Sequence, residues 1–238
     1  LIGRRGLLTV RSTLRAVMER ERNQTTEASG EQLSAVGIRN LENAQVQFTE
    51  SLLEEIRANG YFVTLGGEYD GRYIVDGLVR RDGSSLFGSE EKWNTYYRAS
   101  AAYRMANESW WPFPVFSEFK LRASQGTAGG RPDFEDQFET FEFLAGGGLE
   151  KVTLGNKFLK PEHATETEVG FDAILRDRYA FQLSFIRNRV VDQLIEIPLP
   201  GLFGYEFQWQ NAGTVEGNSI EATFEADLIQ RADLRWRL

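Results

Sequence analysis

His163 and the carboxylates Glu166, Glu168 and Asp172 are the side chains of this 238-residue chain whose types could do chemistry within a short stretch. A metal ion needs several ligands at matched spacing, and no second histidine or cysteine exists to join His163. It reads as a surface or loop-packing residue. Glu166, Glu168 and Asp172 are spaced by even numbers, so in a strand they share one side. Paired carboxylates can exchange protons or hold Ca²⁺. The same pattern also makes a solvated polar wall, which is the reading adopted. "DFEDQFETFEF" (133–143) is an acidic-aromatic run that suits either a ligand-contacting loop or a loop folding its phenylalanines onto a rim; the second is preferred. "GGG" (146–148) with Gly155 lacks the Gly-Lys-Ser/Thr of a phosphate loop. "RDGSS" (81–85) has serines but no base nearby and reads as a turn. Pro198 and Pro200 mark a loop where strand pairing stops. Trp110-Trp111, between which and Phe116 lie Pro112 and Pro114, suits an interface anchor or turn packing equally. No catalytic residue, metal or cofactor is expected, and the chain does not read as an enzyme.

The elements that hold these residues are strands. Aromatics make up 13% of the chain and there are 23 glycines, which favours an all-β fold. The net charge of -8 argues against a nucleic-acid surface, and the lack of cysteine excludes disulfides and thiol chemistry. Hydrophobic content is 41% and mean hydropathy is -0.40. No run approaches the ~18 apolar residues of a spanning helix. That does not exclude a membrane, because a barrel strand hides its apolar residues at every second position.

Alternation predicts strands over 6–21, 44–51, 54–69, 72–81, 92–105, 115–126, 164–176, 179–196 and 217–229, with a tenth starting near 232. "SLLEEIRAN" (51–59) also has helical spacing and is kept extended. The links alternate between short turns, such as "DGR" and Asp177-Arg178, and long excursions, such as 127–163. Short turns on one edge and long loops on the other are the arrangement of an outer-membrane barrel. Over 8–18, 61–69, 73–79, 93–105, 119–123, 167–175, 179–185 and 220–228 the more apolar parity carries no charge. The interleaved positions carry Arg11, Arg15, Glu68, Asp76, Arg98, Arg104, Lys120, Arg122, Glu168, Asp172, Glu221, Glu225 and Asp227. Tyr69, Tyr73, Tyr103 and Tyr179 sit at short turns on the apolar parity, as an interfacial girdle would. A barrel sets the apolar side against lipid; a soluble sandwich or lipocalin-like module buries it against protein. A self-contained small outer-membrane barrel is a third possibility.

"YIVDGLVRRDGSSLFG" (73–88), "FKLRASQGTAGG" (119–130), "LKPEHATETEVGFDAIL" (159–175) and the run over 190–229 are four stretches that together resemble the SusC/RagA-like class of TonB-dependent outer-membrane transporters. "YIVDGLVRRDGSSLFG" (73–88) is similar to its strand-loop signature. "FKLRASQGTAGG" (119–130) is similar to its Leu-Lys-Leu-Arg-Ala-Ser strand. "LKPEHATETEVGFDAIL" (159–175) resembles its Glu-x-Thr and Gly-Phe-Asp segment. "VVDQLIEIPLPGLFGYEFQWQNAGTVEGNSIEATFEADLI" (190–229) resembles its Pro-Leu-Pro loop and Gln-Asn-x-Gly-x-Val strand. "WNTYYRASAAYRM" (93–105) departs from the class by lacking its Phe-Pro-Ser and Gly-Trp. The resemblance implies an antiparallel, up-and-down transmembrane β-barrel segment of about nine or ten strands out of about 22. Residues 1–238 would be part of the barrel domain, with neither plug domain nor closing C-terminal strand. "LIGRRGLLTV" shows no initiator Met or signal peptide and "ADLRWRL" stops within a strand, so both ends are expected to be cut from a longer chain.

The resemblance further implies import of glycan- or peptide-derived oligomers at the cell outer membrane. The implied partners are outer-membrane lipid, a SusD-like lipoprotein, and TonB-ExbB-ExbD acting through the missing plug; nucleic acid is not among them. Lumen-facing candidates are Arg98, Arg104, Lys120, Arg122, Glu168, Asp172, Glu221 and Glu225. Lipid-facing candidates are Tyr73, Val75, Phe171, Phe181, Leu183 and Phe224.

Overall fold

The alternating segments become long strands because each gives one side to apolar or aromatic residues and the other to polar ones. A computed structural model describes residues 2–5, 7–34, 37, 40–88, 92–144, 147–230 and 233–238, with backbone alone for 2–5, 230 and 235. In chain order the strands are β1 (Ile2–Arg5), β2 (Leu8–Leu33), β3 (Ala44–Tyr69), β4 (Tyr73–Ser84), β5 (Trp93–Arg104), β6 (Phe116–Gly130), β7 (Phe141–Leu144), β8 (Gly148–Lys151), β9 (Glu162–Leu175), β10 (Tyr179–Val191), β11 (Leu194–Pro198), β12 (Phe207–Asn211), β13 (Thr214–Gln230) and β14 (Arg235–Arg237). Ten of them form one antiparallel sheet in the order β1-β2-β3-β4-β5-β6-β9-β10-β13-β14. β7 pairs with β8 and β11 with β12 as separate hairpins. The sheet is an open, up-and-down segment of the kind the alternation predicts. No helix among the described residues is long and apolar enough to cross a membrane.

Several boundaries differ from those the sequence suggested. The two strands expected over 44–51 and 54–69 are one, because β3 pairs with β2 from Leu33↔Ala44 to Leu8↔Tyr69 and the ladder overrides the helical spacing of Leu52, Leu53 and Ile56. β2 therefore runs to Leu33 rather than 21, and a turn at Leu7 separates it from the short β1. β4 continues through Ser84, so "RDGSS" is mostly strand and the turn follows it. β10 ends at Val191, where Asp192 takes φ 56°, and 194–198 belongs to a loop hairpin. The expected start of the last strand near 232 lies outside the described residues; β14 begins at Arg235.

Connections separate by length. At one end are the turns at 70–72 and 176–178 and the link 105–115; at the other are 34–43, 85–92, 131–161 and 192–213. Asp70, Gly71, Arg176 and Asp177 adopt positive φ, which tight reversals demand. Each short turn also hydrogen-bonds its neighbour: Arg104 N–H reaches Arg72 O at 2.9 Å, Arg176 N–H reaches Val115 O at 3.0 Å, and Asp227 N–H reaches Arg178 O at 2.9 Å.

Burial is concentrated at the long-loop end. Leu86, Phe87 and Leu159 are buried there, and Gly88 N–H donates to Leu159 O at 2.8 Å. A Cβ on Gly88 would stand 2.2 Å from Lys157 O, so only glycine allows this approach. Asn211 clamps the β11–β12 hairpin by accepting from Lys160 N–H (3.0 Å) and donating to Lys160 O (2.7 Å). The acidic-aromatic run contributes Gln137, which donates to Ser85 O at 2.9 Å, but Phe143 stays 88% exposed.

Candidate functional site: the polar face of the sheet

Strand register decides which residues share a side. Tyr73, Tyr103, Leu121, Phe171, Leu183 and Ala222 form one continuous row of directly opposed residues. Val75 with Ala101, and Phe181 with Phe224, fall on the same face. No layer covers it: Val75 is 57%, Phe181 41%, Leu183 39% and Phe224 46% exposed. A sandwich would enclose these side chains, so that alternative does not describe this fold. At the short-turn end Trp111 stacks on Phe119 at 5.1 Å, and Phe119 stacks on Phe171 at 5.7 Å. Trp111 thus packs its turn against the apolar face, while Trp110 points into the open.

Between the short turns and the level of Leu65, Gly77 and Phe185 the opposite face holds the charged residues. Its centre is the row Ala102, Arg122, Gly170, Ser184 and Glu221. Gly170 lies between Glu168 and Asp172, and Arg122 stands directly across from it. With no side chain at 170, the guanidinium lies over the β9 backbone. It reaches Asp172 Oδ1 at 3.1 Å, Glu168, and Ser184 Oγ on the next strand. A Cβ at 170 would stand 3.3 Å from the Arg122 guanidinium and 2.4 Å from Leu183 O. Lys120 completes the cluster at 2.7 Å from Asp172. Two cations face Glu168 and Asp172, with Glu118 a further 3.8 Å from Lys120, so the charges largely offset one another and the group bridges β6, β9 and β10 as a clasp.

Lys120, Arg122, Glu168 and Asp172 are thus brought together, and Glu221 continues their row. Arg98 pairs instead with Asp76 across β4 and β5. Arg104 sits at the short-turn edge, donating to Gly71 O at 3.1 Å with Glu68 at 3.8 Å. Glu225 lies apart from the clasp, 4.0 Å from Arg237. His163 lies inside β9, its ring 6.1 Å from that of Tyr96. Among the described residues no group of three or more potential ligands is placed to hold a metal. Sequence reasoning missed Gly170 and Ser184. The available signal was the Glu-x-Gly-x-Asp spacing, which leaves a gap between two like charges on one face.

A second polar cluster closes the short-turn end. Glu108, with only 7% of its side chain exposed, accepts from Tyr73 Oη at 2.8 Å, Tyr103 Oη at 2.9 Å and Arg72 Nη1 at 2.6 Å. The Tyr73 hydroxyl above all, then Tyr103 and Arg72, holds the Glu108 carboxyl below its ordinary 4.5 against the opposing effect of burial.

Comparison with known proteins adds the following. The family described as TonB dependent receptor-like, beta-barrel matches residues 22–238. TonB-dependent receptor P3 of Formosa agariphila is 29% identical over 213 residues, covering 84% of this chain and 21% of the relative. TonB-dependent receptor SusC of Bacteroides thetaiotaomicron is 24% identical, covering 75% and 19%. The structure of the RagAB peptide transporter superposes with a TM-score of 0.82 at 20% identity, over 96% of this chain and 27% of that one. The siderophore receptor PirA from Pseudomonas aeruginosa gives a TM-score of 0.61 at 15% identity, over 98% and 38%. This chain spans about a fifth of the length of the curated relatives it matches.

Proposed function

The chain belongs to the TonB dependent receptor-like β-barrel family, and from that premise we propose that it builds part of the wall of an outer-membrane nutrient importer. The observation that carries the proposal is the uncovered apolar face, continuous across β2 to β13 and backed by a charged face at the interleaved positions. Lipid covers the first; water and passing solute meet the second. Residues 1–238 act as barrel wall, with the long loops outside the cell and the short turns in the periplasm. Tyr73, Val75, Phe171, Phe181, Leu183 and Phe224 face hydrocarbon. Arg98, Arg104, Lys120, Arg122, Glu168, Asp172, Glu221 and Glu225 face the lumen.

The likeness to SusC and to a peptide transporter supports oligomeric nutrients, peptide or glycan, as cargo. It also supports a SusD-like lipoprotein over the long loops and energy from TonB-ExbB-ExbD. The barrel's part is then to seal and to guide, with no covalent step.

A direct test labels single cysteines in this cysteine-free stretch, with any cysteine elsewhere in the protein replaced first. Single cysteines at Phe181 and Gln182, adjacent but on opposite faces, are introduced into the intact protein in its native membrane. A fluorophore at 181 is quenched by brominated lipid, and a membrane-impermeant maleimide labels 182. Equal aqueous labelling at both positions would sink the reading.

A further inference from the structure

The β2–β3 ribbon outlasts its neighbour at the long-loop end. β4 stops at Ser84, and Arg57 makes the last contact on that side: its N–H donates to Ser85 Oγ at 3.0 Å and its C=O accepts from Ser85 N–H at 2.9 Å. β3 extends back to Ala44, held by β2 on one edge and by no strand among the described residues on the other. Backbone groups alternate in direction along an antiparallel strand, so those of Glu55, Leu53, Ser51, Thr49 and Gln47 point the same way as those of Arg57. They leave roughly 26 Å of open ladder. Proline, lysine and bulges commonly blunt such an edge. Residues 46–56, "VQFTESLLEEI", hold neither proline, glycine nor lysine, and their register to β2 does not shift.

The side chains beside this edge set what it can take. On the face shared with Arg15 and Phe62, the ribbon carries Glu19, Glu21, Glu27, Glu31, Glu50 and Glu54, and neither lysine nor arginine. Glu27 and Glu50 stand directly opposite each other, an arrangement that costs stability until a cation enters. Of these six, among the described residues, only Glu19 has a basic partner, Arg131 at 3.8 Å. The other face differs: there Arg20 and Arg57 both bind Glu55.

The edge strand presents Phe48, Glu50, Leu52, Glu54 and Ile56 in that order on the acidic face, with Phe48 55% and Leu52 41% exposed. A strand laid along it sets one side chain beside each. Basic residues suit the places beside Glu50 and Glu54, which are four apart, and apolar ones suit those beside Phe48, Leu52 and Ile56. A glycan has hydroxyls but no N–H and C=O repeating at strand spacing; an extended peptide has both.

We propose that the free edge of β3 over 47–55 captures cationic peptide cargo by strand addition, with basic residues four apart beside Glu50 and Glu54 and an apolar one between them beside Leu52. The inference rests on the importer reading and narrows its cargo to peptides that alternate basic and apolar residues. Main-chain hydrogen bonds supply affinity, and the alternate side chains supply selection.

The test uses the intact protein as the cell makes it, purified in detergent. The probes are the end-capped, fluorescently labelled peptide Val-Thr-Lys-Thr-Leu-Thr-Lys-Thr-Val, its counterpart with Glu for Lys, and two forms N-methylated at alternate residues, either at the threonines or at the rest. Binding is read by fluorescence anisotropy and folding by heat-modifiable gel mobility. Wild type binds the lysine peptide about tenfold more tightly than the glutamate one, and E50Q/E54Q removes that preference. Only one of the two methylated forms loses binding, because only one parity of the added strand faces the edge. S51P, whose lost N–H faces the open edge rather than β2, abolishes binding while staying folded. Equal binding of the lysine and glutamate peptides, equal loss in both methylated forms, or unchanged binding by folded S51P overturns strand addition at this edge. No binding by the wild type means that another segment or a second copy already covers the edge, and overturns it equally. Binding without TonB-dependent entry of the peptide into cells overturns the cargo assignment, while the wall reading is decided separately by the labelling of 181 and 182.

Discussion

Gly170 is where one added methyl group does most damage to the polar face. Its Cβ would press on Leu183 O at 2.4 Å and displace the Arg122 guanidinium from between Glu168 and Asp172. Gly170→Val is expected to destabilise the folded protein by about 2 kcal/mol, read from urea unfolding in lipid vesicles. Arg122→Met leaves Glu168 without its cation and costs about 1–3 kcal/mol, and adding Glu168→Gln recovers part of that loss. Additive costs in that pair of variants would show that the clasp is not a unit. At the opposite end Glu108 supplies a pH dependence. Its carboxyl is held below the ordinary 4.5, so its contribution is present above that value and is lost as pH falls through the lower, folded one. Fluorescence of the neighbouring Trp110 and Trp111 is expected to change on acidification below about 4.5, and Glu108→Gln removes that transition.

At the scale of elements, the two faces of one strand should answer differently to the same charge. Leu183→Arg sets a cation against the uncovered face and is expected to destabilise by about 2–4 kcal/mol in a bilayer, whereas Gln182→Arg on the other face changes little. Comparable losses would mean that β10 has no lipid side. The loops have a core of their own. Leu86 and Phe87 follow the end of β4 and pack where Gly88 meets Lys157 and Leu159. Phe87→Ala is expected to cost about 3 kcal/mol locally. Amide exchange in 85–88 and 153–161 should rise while exchange in β9 and β10 stays slow, because the loop knot opens without unzipping the ladder. Two of the stretches that carried the family resemblance, the Ser-Ser-Leu-Phe-Gly run and the Leu-Lys-Pro run, meet in this knot.

For the molecule as a whole, the sheet is a wall with two open edges. β1 covers β2 only between Leu8 and Arg11, and β14 covers β13 only near its end. Beyond Arg57, which still bonds Ser85, no strand among the described residues pairs with the β2–β3 ribbon on the β4 side. Unpaired edges recruit other strands. Taken alone in detergent, the 238-residue chain is expected to self-associate, with a light-scattering mass above that of one chain. A stable monodisperse monomer would show that the edges are protected in a way the sheet does not display.

Periodicity determined the all-β class, the separation of short turns from long loops, and the charge-free parity of each strand, because alternation is a local property written every second residue. The Leu-Arg-Ala and Gly-Phe-Asp runs were legible as family marks, but their meeting was not. Arg122 and Gly170 are 48 residues apart in sequence, and only the β6–β9 register puts one across from the other. Pairing also decided that β3 is one strand. Leu52, Leu53 and Ile56 fit a helix as well as a strand, and nothing local breaks the tie; the continuous ladder to β2 does.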